Sequence, residues 1–271
     1  MSTLEAIVLG LVQGLTEFLP ISSSGHLRIV PALLGWEDPG AGFTAVIQLG
    51  TMAAVLIYFR ADLWRIAVAW LRELRTPIRR ASQDARLGWF IVLGTIPIAI
   101  FGFIFKDQIE SGARSLYLIG SALILFSFVM IAAERVGTRQ RALVEMNGRD
   151  GIFVGFAQAL ALIPGVSRSG ATISAGLFRG FDRVAAARYS FLLSVPAVVL
   201  SGLFELRKVG EAGGPSAGAT AIATVIAFVS GYVAIAWLIR YLGSHTLEVF
   251  VIYRIALGAL VLVLAATGTI S

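Results

Sequence analysis

Six stretches of this chain, residues 39–59, 87–105, 115–133, 189–204, 212–239 and 247–270, contain no Asp, Glu, Lys or Arg apart from Glu248 and Arg254 in the last. An α-helix needs roughly 20 consecutive apolar residues to cross the hydrocarbon core of a bilayer. The pattern therefore predicts an all-α polytopic membrane protein with six transmembrane helices. Only 14% of its 271 residues are charged, against about 25% in a soluble globular domain. No length remains for a sizeable soluble domain, and soluble enzyme folds are excluded. Any chemistry must lie in or at the membrane, within a single integral membrane domain covering residues 1–271.

Two further apolar stretches are broken in the middle. Residues 4–34 are interrupted at Leu19-Pro20-Ile21-Ser22-Ser23-Ser24-Gly25, and residues 151–177 at Pro164-Gly165-Val166-Ser167-Arg168-Ser169-Gly170. Each half is too short to span, which predicts a re-entrant broken-helix hairpin in each case. Laying the second stretch over the first pairs Gln13 with Gln158, Leu15 with Leu160, Ser22 with Ser167, Ser24 with Ser169 and Gly25 with Gly170. The identities gather at the same break, the mark of an internal repeat. Repeat 1 covers about residues 1–133 and repeat 2 about residues 150–271.

The net charge is +6. In a soluble protein a basic excess points to nucleic acid; here the loops that carry it decide its meaning, and no nucleic-acid partner is expected. Residues 60–88 hold seven arginines, 134–150 four, 179–188 three and the turn at Arg240 one, whereas the intervening loops hold only Lys106, Arg114, Arg207 and Lys208. The positive-inside rule puts the arginine-rich loops in the cytoplasm. Both termini then lie outside, the first hairpin enters from the outer face and the second from the inner face. The repeats are therefore expected to be inverted, with their broken tips meeting near the bilayer midplane, as in many secondary transporters. The basic 60–86 segment reads as a solvated amphipathic stretch lying on anionic membrane lipids. Met1-Ser2-Thr3-Leu4-Glu5 lacks the basic start of a signal peptide, so the first apolar stretch is expected to stay in the mature protein. With no cysteine and only His26 and His245, thiolate metal sites and a multi-histidine zinc centre have no ligands.

The breaks concentrate the polar residues. Gln13 and Glu17 are four apart and share one helix face, with Glu17 one turn before Pro20. A carboxylate at membrane depth is costly unless it faces a polar cavity or a partner; Glu17 is either a functional group or an anchor to another helix. Ser22, Ser23 and Ser24 either cap the following helix or join its free N–H groups in an anion-binding nest. His26, three residues after Ser23, points the same way from the first turn and reads as functional beside the break. The second break carries Ser167, Arg168, Ser169 and Thr172. Arg168 aligns with Ser23, and a guanidinium in a glycine-serine turn suits bidentate phosphate binding; the alternative is a partner for Glu17. Arg254 is either a further site cation or a residue paired for packing. One break thus supplies acid, hydroxyl and imidazole, and the other the guanidinium. The set suits a phosphate ester or pyrophosphate, stabilising charge that develops as a phosphoryl group is transferred. Neither a nucleotide-binding P-loop nor a Gly-x-Ser-x-Gly elbow is present.

The runs Gln13-Gly-Leu-Thr-Glu17-Phe-Leu-Pro-Ile-Ser-Ser-Ser-Gly-His26 and Pro164-Gly-Val-Ser-Arg168-Ser-Gly-Ala-Thr172 strongly resemble the two signature motifs of the bacterial undecaprenyl-diphosphate phosphatases, the bacitracin-resistance protein family. The likeness extends over essentially the whole chain, including Val46-Ile-Gln-Leu-Gly50, Tyr189-Ser-Phe-Leu-Leu-Ser-Val-Pro196 and Ile252-Tyr-Arg-Ile255. The resemblance implies dephosphorylation of undecaprenyl diphosphate to undecaprenyl phosphate, which recycles the lipid carrier for peptidoglycan and other envelope glycans and confers bacitracin resistance. It also implies action at the outer face of the bacterial inner membrane, dependence on a divalent cation such as Mg²⁺ or Ca²⁺, and a homodimer. Glu17, Ser23, His26 and Arg168 match the residues that the family implicates in its active site, and some relatives carry a second glutamate where this chain has Gln13. Lipid phosphatases of the phosphatidic-acid type have a similar pair of motifs but need a histidine six residues after the arginine, where this chain has Ser174.

These expectations make Glu17, Ser23, His26 and Arg168 catalytic. They assign phosphate contacts to Gln13, Ser22, Ser24, Ser167, Ser169, Thr172 and Arg254, and a possible metal to Glu17 with Gln13. The nucleophile is left as Ser23, His26 or a metal-bound water. The competing class is a transporter, a flippase for the lipid phosphate. Inverted repeats favour it, while an acid and an imidazole in one repeat alone favour one-sided chemistry.

Overall fold

The computed structural model describes residues 1–105, 108, 115–205 and 216–270. These form α1 (Thr3–Phe18), α2 (Ser23–Leu34), α3 (Gly40–Tyr58), α4 (Arg60–Arg72), α5 (Gln83–Ile104), α6 (Leu116–Val136), α7 (Gly148–Ala159), α8 (Arg168–Phe178), α9 (Arg183–Glu205), α10 (Ala217–Leu242) and α11 (Glu248–Ala266). Among the described residues there is no strand, and short 3-10 turns fall at Leu143–Glu145 and Leu160–Leu162. Helices α5, α6, α9, α10 and α11 are long and apolar enough to cross a membrane, and α3 with α4 makes a sixth candidate bent by 79°. The chain is thus an all-helical multi-pass membrane protein. Lys106, Arg114, Arg207 and Lys208, the basic residues expected in outer loops, lie outside the described residues.

The two broken stretches become the helix pairs α1/α2 and α7/α8, and each break has the same local cause. A residue before proline is driven out of the helical region. Leu19, before Pro20, is extended at φ −66°, ψ 140°, and Ile163, before Pro164, is extended at φ −85°, ψ 113°. The next helix then starts from a serine on the left-handed side of the map, Ser22 at φ 75° and Ser167 at φ 77°. Such a conformation in a non-glycine residue costs on the order of 1–3 kcal/mol, and here the cap offsets it. Ser22 Oγ accepts from Gly25 N at 3.4 Å and Ser167 Oγ from Gly170 N at 3.1 Å. Each capping serine also bonds the serine two residues on, Ser24 at 3.3 Å and Ser169 at 3.1 Å. The two breaks thus share a backbone conformation and a pattern of side-chain bonding.

Packing is mirrored as well. Helix α1 runs along α10 and α7 runs along α5, so the first helix of each half lies on a long helix of the other. Both seams depend on glycine. A Cβ on Gly10 would sit 2.4 Å from the Ala223 carbonyl oxygen, and one on Gly155 would sit 2.6 Å from Gly94 Cα. Small residues allow this backbone approach, through which helices in lipid gain dispersion contacts when no hydrophobic driving force separates them from the acyl chains.

At the end of the molecule carrying the arginine-rich connections, two buried carboxylates gather basic side chains. Glu134 accepts from Arg183 at 2.8 Å, Arg139 at 2.9–3.1 Å counting its backbone carbonyl, and the Leu247 N–H at 3.0 Å. Asp150 accepts from Arg141 at 2.7 Å and Arg179 at 2.6 Å. Four of the arginines counted as topological signals are thus also internal ties. Helix α4 turns away from α3, buries Ile66 and leaves Trp64 74% exposed, which fits the amphipathic segment expected at 60–86.

Candidate active site

The two breaks meet. Ser22 Oγ accepts from Gly165 N at 3.2 Å, and Ser169 Oγ donates to the Leu19 carbonyl at 3.0 Å. Arg254, on α11, closes the join. It is fully buried, and its guanidinium donates to the Pro20 carbonyl at 3.2 Å, the Gly165 carbonyl at 2.9 Å, the Ala122 carbonyl at 3.4 Å and Ser127 Oγ at 3.1 Å. Gly165 itself is obligatory. Its φ is 96°, and a Cβ there would fall 2.6 Å from the Ile119 carbonyl oxygen.

Beside this join lies Glu17, on the last turn of α1 and 6% exposed. Its carboxylate receives four donors from four elements. Gln13 Nε2 donates to Oε2 at 2.9 Å, Ser23 Oγ donates to Oε2 at 2.6 Å, Gln48 Nε2 donates to Oε1 at 2.8 Å, and Arg168 Nη2 donates to Oε1. Arg168 is the first residue of α8, so acid and guanidinium come from opposite halves of the chain. Glu17 is the single hydrogen-bond partner of the Arg168 guanidinium among the described residues. Its remaining N–H donors stay uncommitted, unlike those of Arg254.

The residues expected at the site therefore separate into groups. Gln13, Glu17, Ser23 and Arg168 converge directly. Ser22, Ser24, Ser167 and Ser169 are bound into the two breaks and support it. Thr172 points into the seam between α8 and α9, donating to the Arg168 carbonyl at 2.8 Å and lying 2.6 Å from Ser190 Oγ. Arg254 ties backbone to backbone. His26 is buried on α2, but its ring nitrogens meet the Ser22 carbonyl at 2.8 Å and the Tyr253 hydroxyl at 2.7 Å, and neither bonds Ser23 or Glu17. The shared direction expected for Ser23 and His26 does not become a hydrogen bond, because Ser23 Oγ is turned back to Glu17 while the imidazole is taken by the Ser22 carbonyl and Tyr253.

Two further site residues, Gln48 and Tyr253, stand in runs that carry the family resemblance but had no role assigned from the sequence. Gln48 sits in the apolar run 39–59, where an amide at membrane depth is itself a signal. Tyr253 had no such mark, since its partner lies on another helix 227 positions away.

As to a metal, no cluster of three or more His, Cys, Asp or Glu occurs among the described residues. One oxygen beside the carboxylate is nevertheless unused: Gln13 Oε1 is buried without a hydrogen-bond partner, on the side chain whose amide nitrogen donates to Glu17. One carboxylate and a neutral oxygen suit a cation completed by substrate phosphates.

With this geometry in place, similarity to known proteins is informative. The sequence model of the family described as Bacitracin resistance protein BacA matches residues 6–260. An undecaprenyl-diphosphatase from a Nocardioides species is 55% identical over 269 residues, covering 99% of this chain and 98% of that protein. The undecaprenyl-diphosphatase of Myxococcus xanthus is 55% identical over 272 residues, with 100% and 92% covered. That of Mycolicibacterium smegmatis is 54% identical over 275 residues, with 100% and 99% covered.

Proposed function

Because the chain belongs to the bacitracin resistance protein BacA family, we propose that it is an undecaprenyl-diphosphatase, hydrolysing undecaprenyl diphosphate to undecaprenyl phosphate and inorganic phosphate. The observation that carries this reading is the Glu17 carboxylate, held between Ser23 from its own half and Arg168 from the other.

Arg168, with most of its donors free, binds the terminal phosphate, which takes up the guanidinium fork in bidentate fashion. Ser23 is the nucleophile favoured by its 2.6 Å bond to Glu17. Its oxygen attacks the terminal phosphorus, its proton passes to Glu17, the bridging P–O bond breaks and undecaprenyl phosphate leaves. Water then attacks the serine-bound phosphorus and gives its proton to His26, which passes it on to the departing phosphate. The serine oxygen recovers its proton from Glu17, and inorganic phosphate departs. Glu17 and Gln13 Oε1 would hold a divalent cation, Mg²⁺ or Ca²⁺, which supplies charge neutralisation at the diphosphate oxygens.

The proposal includes the arrangement of the molecule. Two re-entrant hairpins from opposite faces, related as inverted repeats, bring the breaks together near the midplane of a bacterial inner membrane, and the site opens outward. Mirrored capping at Ser22 and Ser167 and mirrored glycine seams support the repeat, and the arginine-rich connections support the orientation. The homodimer is carried over from the family resemblance.

Purified protein in detergent is the test, with undecaprenyl diphosphate labelled in its terminal phosphate. Wild type releases labelled phosphate, release falls with chelator and is lost in Glu17→Ala, and quenching in detergent denaturant at neutral pH, where phosphoserine and phosphohistidine both survive, traps label on wild type but not on Ser23→Ala. Absence of release with any divalent cation overturns the hydrolase reading. Label retained on Ser23→Ala and lost from His26→Ala overturns the serine as nucleophile.

A further inference from the structure

The His26 imidazole has both nitrogens engaged, and its partners are of different kinds. A carbonyl oxygen only accepts, so the 2.8 Å contact with Ser22 puts the ring proton on Nδ1. In the neutral ring Nε2 is then a lone pair, and the Tyr253 hydroxyl at 2.7 Å donates to it. The two rings lie 7° from parallel with centroids 5.6 Å apart, which suits an in-plane bond of this kind.

The partners also differ in how easily they can be given up. Ser22 belongs to the break itself. Its φ is 75°, its hydroxyl caps Gly25 and accepts from Gly165, and its carbonyl also accepts the His26 backbone N–H at 3.1 Å. Releasing Nδ1 would require moving a backbone fixed by both hairpins. Tyr253 is a single side chain from α11, 44% exposed where His26 is 6% exposed. Its backbone is fixed by neighbouring Arg254, but its hydroxyl is held only by the imidazole among the described residues.

We infer that Tyr253 is a positioning residue that occupies Nε2 of His26 in the resting site, so that Nε2 is the nitrogen that works in the reaction, exposed when the entering diphosphate or water displaces the tyrosine hydroxyl. Nδ1 stays protonated on the Ser22 carbonyl throughout. This deepens the assignment of His26 as the acceptor of the water proton and rests on it. Tyr253 takes no part in the bonds made or broken and leaves Nε2 before the reaction begins; until then it keeps the ring's single free lone pair satisfied.

The chain has only two histidines, His26 and His245, so the ring can be observed directly. In ¹⁵N-histidine-labelled full-length His245→Gln protein, the expected spectrum has a protonated Nδ1 and an unprotonated, hydrogen-bonded Nε2. Tyr253→Phe moves the Nε2 resonance and leaves Nδ1 in place. Methylenediphosphonate, a non-hydrolysable diphosphate, moves Nε2 in the wild type and moves it less in Tyr253→Phe. In turnover, Tyr253→Phe lowers KM about two- to tenfold, the worth of one net hydrogen bond no longer displaced on binding. A protonated Nε2 in the wild type, an Nε2 signal indifferent to Tyr253→Phe, or a raised KM overturns the inference. The wild-type spectrum alone decides the tautomer should the variant fail to fold. A protein that shows the expected spectra yet releases no phosphate would sink the hydrolase reading and leave the His26–Tyr253 pairing standing.

Discussion

Arg168 and Arg254 are both arginines in apolar surroundings, and the difference between them lies in what their donors meet. Arg254 gives its donors to three carbonyls and a hydroxyl, whereas Arg168 gives one to Glu17 and keeps the others. A planar fork with free donors is what distinguishes arginine from lysine at a phosphate. Arg168→Lys is therefore expected to fold and still pair with Glu17, while turnover in detergent falls about a hundredfold or more, the scale on which losing a charge-stabilising donor acts. Near-normal kcat in that variant would contradict the assignment. Arg168 was legible in the sequence because it stands in a glycine-serine turn at a helix break. Arg254 left two readings open there, since its acceptors are mostly backbone carbonyls from Pro20, Ala122 and Gly165, which no side-chain pattern announces. The relation of His26 to Tyr253 was hidden for a similar reason: spacing along α2 gives direction, but a partner on α11 is set by tertiary packing.

Among the elements, the apolar runs located each long helix, and the Pro-Gly-Ser breaks located each interruption. Boundaries shifted where charge is paired internally. The run 189–204 underlies α9, which begins earlier, at Arg183, because the Asp182 side chain caps it by accepting from the Ala185 N–H at 2.7 Å; the charges in its first turns are paired, Arg183 with Glu134 at 2.8 Å and Arg188 with Asp62 at 2.6 Å. The cross-half seams were not legible, because a glycine on a helix says only that close approach is permitted and not which helix approaches. Their importance can be measured. Gly155→Ala drives a methyl to within 2.6 Å of Gly94 Cα, while Gly102→Ala on α5 finds nothing nearer than Leu162 at 3.8 Å. Overpacking costs about 1–3 kcal/mol, so Gly155→Ala is expected to lower the thermal midpoint in detergent by several degrees. Gly102→Ala should match wild type or exceed it, as alanine favours helix over glycine. Equal midpoints for the two variants would show that the seam does not constrain the fold.

For the molecule as a whole, orientation is the largest claim made from sequence, and absence of cysteine makes it simple to check. Single cysteines in place of the exposed Glu37 and Thr267 are expected to react with a membrane-impermeant maleimide on intact spheroplasts. Cysteines replacing Arg75 and Thr138, also exposed, should react only after permeabilisation. The reverse pattern would invert the topology and turn the site toward the cytoplasm. The Arg254 clasp bears on how such a molecule can move. Alternating access requires one half to rock against the other, and the breaks would have to part as they did so. Each parting would leave the buried Arg254 guanidinium unpaired and uncover the carbonyls of Pro20 and Gly165, a penalty on the order of several kcal/mol. The clasp acts as a latch on that motion, fastening the two halves of the chain to each other at the very place where rocking would have to open them.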